Sequence, residues 1–226
     1  MTLHLADLPI ELQEQLGFKP ELSVKREGLR HLQLGKVLKA LDVFQDDRQS
    51  GILRGETMSQ PSEIGESISG AIFSEDRRFR FAIWRLWDQH LPAMFYIGLN
   101  PSTAAEYRND PTILRLAGLA KTLGFGGLFG ANMYPYITAY PAQLWPHEAE
   151  QQEMNNRVIL MIRGITKTAV VGWGNEGTHA GNRPSEVLKL LGEPVYCFKV
   201  NKSGEPIHPL YLPRTSRLIP YIRKGA

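Results

Sequence analysis

Residues 93–102 read Ala-Met-Phe-Tyr-Ile-Gly-Leu-Asn-Pro-Ser. Ala93–Leu99 is an apolar run of strand length that stops on a polar turn. Such a run reads as a strand buried on both faces. Downstream, Asp110-Pro-Thr112 opens a helix, with Asp as N-cap and Pro at the first helical position. Ile113, Leu116, Ala117 and Ala120 give that helix a core face, and Gly124 stops it. A second strand covers 127–133. A helix over 148–165 carries Met154, Val158, Met161 and Ile162 on one face. A third strand follows at 168–173, then a helix at 184–191 stopped by Gly192, and a fourth strand at 194–200. Strands alternating with helices predict a parallel sheet covered on both sides. The expected fold is therefore a three-layer α/β/α domain around a central four-stranded parallel sheet.

Upstream the pattern changes. Leu8, Leu12 and Leu16, then Leu29, Leu32, Val37, Leu38, Leu41 and Phe44, recur at helical spacing. They predict a helical N-terminal extension over residues 1–65, with Lys25, Arg26, Arg30 and His31 forming a basic stretch. Residues 49–70 are rich in Ser, Gly and Pro and read as a loop or linker. The α/β domain is expected to span 70–226. At its start, Phe79, Phe81 and Ile83 alternate with Arg, which predicts an antiparallel edge hairpin that is polar on one face.

The 226 residues are 42% hydrophobic and 22% charged, ordinary for a globular chain with one good core. No apolar stretch is long enough for a transmembrane helix, and Met1–Asp7 lacks the basic and apolar regions of a secretory signal. A single Cys, Cys197, excludes an internal disulfide and a Cys-based zinc site. A cytoplasmic monomer is the expectation. Net charge is +3 with a pI of about 9.0. From residue 199 onward Lys199, Lys202, Arg214, Arg217, Arg223 and Lys224 face Glu205 alone, a balance suited to a phosphate backbone.

Each expected strand ends on polar or ring residues: Asn100-Pro-Ser102, Asn132-Met-Tyr134-Pro-Tyr136, Gly172-Trp173-Gly-Asn175, and Asn201-Lys-Ser-Gly leading to His208-Pro. Carboxyl ends of parallel strands share one edge, so these turns are expected to line one crevice. There is no Gly-x-Gly-x-x-Gly after the first strand, no Walker loop, no His-Glu-x-x-His and no Gly-x-Ser-x-Gly. A metal site and an organic cofactor are not expected. Taken singly, each candidate also has a plain structural role. Asn100 before Pro suits a turn, Trp173 and Tyr134 suit a core, and Asp110 is either a helix cap or an active-site acid.

Beyond these readings, Arg80-Phe…Trp84-Arg-Leu-Trp87, Gly98-Leu-Asn-Pro-Ser102, Asn109-Asp-Pro-Thr112, Asn132, Gly172-Trp-Gly174 and Gly204-x-Pro-x-His-Pro-Leu-Tyr211 resemble the bacterial and phage DUF1643 family over about 70–213. More distantly, the same landmarks resemble the uracil-DNA glycosylase superfamily, especially its mismatch-specific branch. That resemblance implies a metal-free DNA glycosylase that flips out a pyrimidine. It implies Asn100 as the water-positioning residue, His208 as donor to the departing base, and Asp110 as a further catalytic candidate. Pro101, Ser102, Asn132, Tyr134, Trp173 and Tyr211 would surround the base. Lys199, Lys202, Arg214 and Arg217 would hold phosphates. Two departures matter: His208-Pro-Leu-Tyr lacks the usual Ser-Pro, and Ser102 stands where several branches carry Tyr or Gly. The second implies a roomier site, hence a modified cytosine, hydroxymethylated or glucosylated, of phage DNA, excised in antiviral defence. The alternative is a non-catalytic module that binds a modified base or nucleotide.

Overall fold

The computed structural model describes residues 54–62, 65–102, 109–140, 144 and 149–223. The expected N-terminal helices and the basic stretch at 25–31 lie outside the described residues. Among the described residues, three α-helices alternate with the strands of one mixed sheet. In chain order these are β1 (Arg54–Ser62), β2 (Gly65–Phe73), β3 (Arg80–Leu86), β4 (Ala93–Gly98), α1 (Pro111–Thr122), β5 (Gly127–Asn132), α2 (Ala149–Ile165), β6 (Thr168–Val171), α3 (Arg183–Leu191), β7 (Val195–Cys197) and β8 (Ile219–Pro220). The eight strands run β1-β2-β3-β5-β4-β6-β7-β8 across the sheet.

The four strands read from their apolar runs pair in parallel, in the order β5-β4-β6-β7. The sheet is larger than this expected four-stranded core and a flanking hairpin. Antiparallel β3, β2 and β1 extend one side and β8 the other. Residues 49–70 are not a linker from 54 onward: β1 and β2 pair along their full length. Ser, Gly and Pro mark loops when sequence is the only guide, but here cross-strand pairing with β3 decides. Pro61 sits in an outermost strand, where its missing N–H costs no ladder bond to a second neighbour. The sheet thus includes 54–62, within the span where the sequence predicts a helical extension.

The expected antiparallel hairpin is present as β2–β3, but it is neither at the edge nor polar on one face. β3 lies between β2 and β5 and is buried throughout, its two arginines included. Arg85 is 1% exposed; its Nε donates to Asn109 Oδ1 at 2.8 Å and Nη1 to the Trp84 carbonyl at 2.7 Å. Alternating Arg predicted a solvated face, and internal acceptors took its place.

Strand alternation sorts the core into two layers. Phe95 and Ile97 of β4 join Trp84, Phe129 and Val171 under Val158, Ile159 and Ile162 of α2 and Val187 and Leu191 of α3. Met94 and Tyr96 join Ile83, Leu128 and Val170 under Ile113, Leu116 and Ala120 of α1. Helix α1 thus covers one face, α2 and α3 the other. The β4–α1–β5 crossover moves one way along the sheet, and β6–α3–β7 moves the other. The order of connections therefore reverses between neighbours β4 and β6. In open α/β sheets this reversal leaves a crevice outside the carboxyl ends of the two strands.

Candidate functional site

At that reversal β4 delivers Leu99-Asn100-Pro101-Ser102 and β6 delivers Gly172-Trp173-Gly174. The Asn100 side chain spends both amide hydrogens within the protein, donating to the Thr138 carbonyl in the segment after β5 at 2.7 Å and to the Pro101 carbonyl of its own loop at 3.1 Å. This fixes the plane of the amide, and Oδ1 is what the residue can offer a water. Ser102 donates its hydroxyl to Asp110 Oδ2. The other oxygen, Asp110 Oδ1, accepts from the Ile113 N–H at 2.7 Å, so Asp110 is the N-cap of α1, with Pro111 at the first helical position.

Helix α1 packs on the short 3-10 turn Pro209–Tyr211, and Leu212 joins its core layer. This brings the α1 N-terminus beside His208, the residue capping that turn. Half-buried His208 has its pKa held below the ordinary value of 6.5, because burial disfavours the cation; the charge of nearby Asp110 works against this and is the smaller effect. Gly174 closes the other side: a Cβ on it would lie 3.6 Å from that of His208. Its N–H donates to the Pro206 carbonyl at 2.9 Å. The Asp110–His208 coupling is open to measurement. Asp110→Asn keeps a capping oxygen but removes the charge, so the His208 pKa should fall further in an NMR titration. Asp110→Ala should in addition cost about 0.5–2 kcal/mol of stability in urea denaturation.

Asn132, the last residue of β5, is also here. Its amide head is 2.8 Å from where a Cβ on Gly98 would stand, so glycine at 98 is what lets it lie across the end of β4. With the amide oriented to satisfy its surroundings, Nδ2 donates to the Asn100 carbonyl at 3.2 Å. Polar side chains from behind secure the strand end. Asn155 donates to the carbonyls of Asn132 and Met133, at 2.9 and 3.2 Å, and Gln152 and Arg183 donate to that of Met133, at 3.0 and 2.9 Å.

The floor is Tyr96, which in sequence is one apolar-strand residue among several. It is fully buried; its hydroxyl donates to the Gly172 carbonyl at 2.5 Å. Burial first, then the Asp110 charge, hold its phenol well above the ordinary value, so it stays a neutral donor.

Not every expected ring faces the crevice. Trp173 is 2% exposed, donates Nε1 to Glu205 Oε2 at 2.6 Å and packs edge-on against Tyr221. Tyr134 is 6% exposed and donates to the Ala180 carbonyl at 3.2 Å; burial pushes its phenol up to about 12. The structure puts both rings in the packed core, and as placed neither offers a free stacking face. Tyr211 is the reverse, 82% exposed with its ring edge-on to that of His208, centroids 6.1 Å apart. Pro101 is buried beside Asn100. Lys199, Lys202, Arg214 and Arg217 are all exposed, the first two on the hairpin that leads into the His208 loop.

Among the described residues no group of three or more His, Cys, Asp or Glu is placed to hold a metal ion, and no helix is long and apolar enough to cross a membrane. No curated protein and no solved structure matches the chain. A family model described as a protein of unknown function, DUF1643, matches residues 80–210, more than half of the sequence.

Proposed function

The chain belongs to the DUF1643 family, whose description assigns no chemistry, and from the site itself we propose that it is a monofunctional DNA glycosylase. Its substrate is a modified pyrimidine, best a hydroxymethylated or glucosylated cytosine of phage DNA, and its product is an abasic site made in antiviral defence. The observation that carries this reading is the meeting of Asn100, Asn132 and the Asp110–His208 pair at the β4–β6 reversal, ahead of a run of exposed cations. The uracil-DNA glycosylase resemblance supports the same roles, and the unit works as a cytoplasmic monomer on DNA.

The chemistry follows from what such groups can do. The C1′–N1 bond breaks with its electrons leaving on the base, and the sugar becomes oxocarbenium-like, as in other glycosyl transfers. A water held by Asn100 Oδ1 bonds to C1′ and releases its proton as the base anion is neutralised. No strong base is needed if leaving-group departure carries the barrier. His208 meets the developing charge on the pyrimidine carbonyl. Held neutral by burial, it keeps one N–H to donate and has no cation to lose to water. Asn132 Oδ1 reads the base edge, Tyr211 stacks on the flipped base, and Lys199, Lys202, Arg214 and Arg217 hold phosphates. Ser102, a small residue tied to Asp110, leaves room above the ring for a substituent at C5.

One observation favours a second reading. Both oxygens of Asp110 and both amide hydrogens of Asn100 are engaged within the protein, an economy that also suits a module binding a modified base without cleaving it. Alkali treatment separates the two. DNA carrying hydroxymethylated or glucosylated cytosine should show strand breaks after incubation with the protein. Unmodified DNA should not, and Asn100→Ala should reduce the breaks at least 100-fold, the scale on which lost positioning acts. Tight binding to the modified DNA without abasic sites would establish the binding module instead.

A further inference from the structure

The loop that carries His208 is tied at its root by a carboxylate that the chemistry above does not use. Glu205 is 3% exposed. Its Oε2 accepts from Trp173 at the end of β6. Its Oε1 accepts from Arg223, at 3.2 Å from Nε and 2.8 Å from Nη2. The remaining Arg223 nitrogen, Nη1, donates to Ser185 Oγ of α3 at 3.1 Å. One carboxylate therefore joins the β6 end, the segment after β8 and, through Arg223, helix α3. The backbone around it is equally committed: the Glu205 carbonyl accepts from Asn201, Ile207 N–H donates to Lys199, and Tyr221 Oη reaches the Gly204 carbonyl. Only Pro206 and Ile207 separate Glu205 from His208, too few for the loop to absorb a shift at its root.

We propose that Glu205 is a positioning residue, clamped by Arg223 and Trp173, and that the β8 arm through this clamp sets the working place of His208. A buried carboxylate stripped of its compensating cation is strongly disfavoured even with the Trp173 bond kept, so loss of Arg223 should drive Glu205 outward and take the loop with it. The kinetic consequence rests on the glycosylase reading; the structural ones do not.

The test compares Arg223→Ala with Glu205→Gln/Arg223→Met. The double variant keeps an acceptor for Trp173 and leaves no buried charge, so folding is preserved while the tie is lost. In both, hydrogen exchange at the Asn201 and Ile207 amides should rise at least tenfold over wild type while β4 and β5 amides stay protected. The His208 pKa, read by NMR, should move up toward 6.5 as the ring gains water. Arg223→Lys should restore part of both. If Arg223→Ala does not fold, the double variant decides. Loop amides that exchange as in wild type, or acceleration spread evenly over the whole sheet, would overturn the proposal. If the protein proves to excise bases, kcat should fall in the same variants with KM little changed. If it does not, exchange and titration still decide.

Discussion

On the proposed glycosylase reading, replacing His208 with Ala should lower the rate of base release by about 10²–10³-fold, the cost of losing one preorganised donor at a developing anion, with binding of the modified DNA little affected. The expectation depends on the ring being neutral when it acts. Burial holds the His208 pKa below 6.5, with Asp110 only partly offsetting it, so above pH 6.5 the folded protein carries an uncharged imidazole. Below that value the unfolded chain takes up the proton first, so this group's contribution to stability is present above pH 6.5 and is lost as pH falls through the lower folded value. Wild type and His208→Ala should therefore differ in two profiles. Single-turnover excision by wild type should hold down to pH 6.5 and fall beneath the folded pKa, whereas the residual rate of the variant should not show that step. Urea midpoints of the variant should fall less on acidification. A variant that retains the wild-type rate would remove His208 from the chemistry, whatever its place in the crevice.

Much of this site could be read without coordinates, and for identifiable reasons. Asp110-Pro111 announces a helix start by itself, and the apolar run before Asn100 announces a strand end; both signals are local and strong. The alternation of elements then implied one shared edge, which the parallel pairing of β5, β4, β6 and β7 bears out. What was hidden is non-local or buried polar. The reversal between β4 and β6 depends on which strands pair across long stretches of chain. β1 and β2 have loop-like composition, and pairing alone makes them strands. Arg85 and Glu205 look solvated in a one-dimensional reading, yet each is buried with partners from distant segments. Trp173 suits either a core or a base pocket in sequence, and its contacts with Glu205 and Tyr221 show that it is core.

A second large effect is expected from one methyl group. Gly172→Ala should destabilise the fold by about 1–3 kcal/mol, the usual range for overpacking a closed core, and should impair whatever the site does. The added Cβ would stand 2.8 Å from Tyr96 Oη, 2.9 Å from its ring edge and 3.1 Å from the Ile207 carbonyl. None of these can retreat easily. The phenol is buried and already donates to the Gly172 carbonyl at 2.5 Å, and its ring also lies 3.3 Å from where a Cβ on Gly98 would be. Tyr96 thus fills a slot that two glycines, at the ends of β4 and β6, leave open. Ile207 is backbone of the His208 loop and is bonded to Lys199 at 2.8 Å. A shift there displaces the residue next to it, the proposed donor. Tyr96→Phe divides the strain between these partners, since it removes the closest contact and one hydrogen bond worth about 0.5–1.5 kcal/mol. In urea denaturation Gly172→Ala should cost at least about 0.5 kcal/mol less in the Tyr96→Phe background than in wild type, a coupling of the size found between touching residues. Strict additivity would mean that the Ile207 carbonyl takes the strain. In that case the loss of activity should persist in the double variant, because the His208 loop has moved while the tyrosine slot has not.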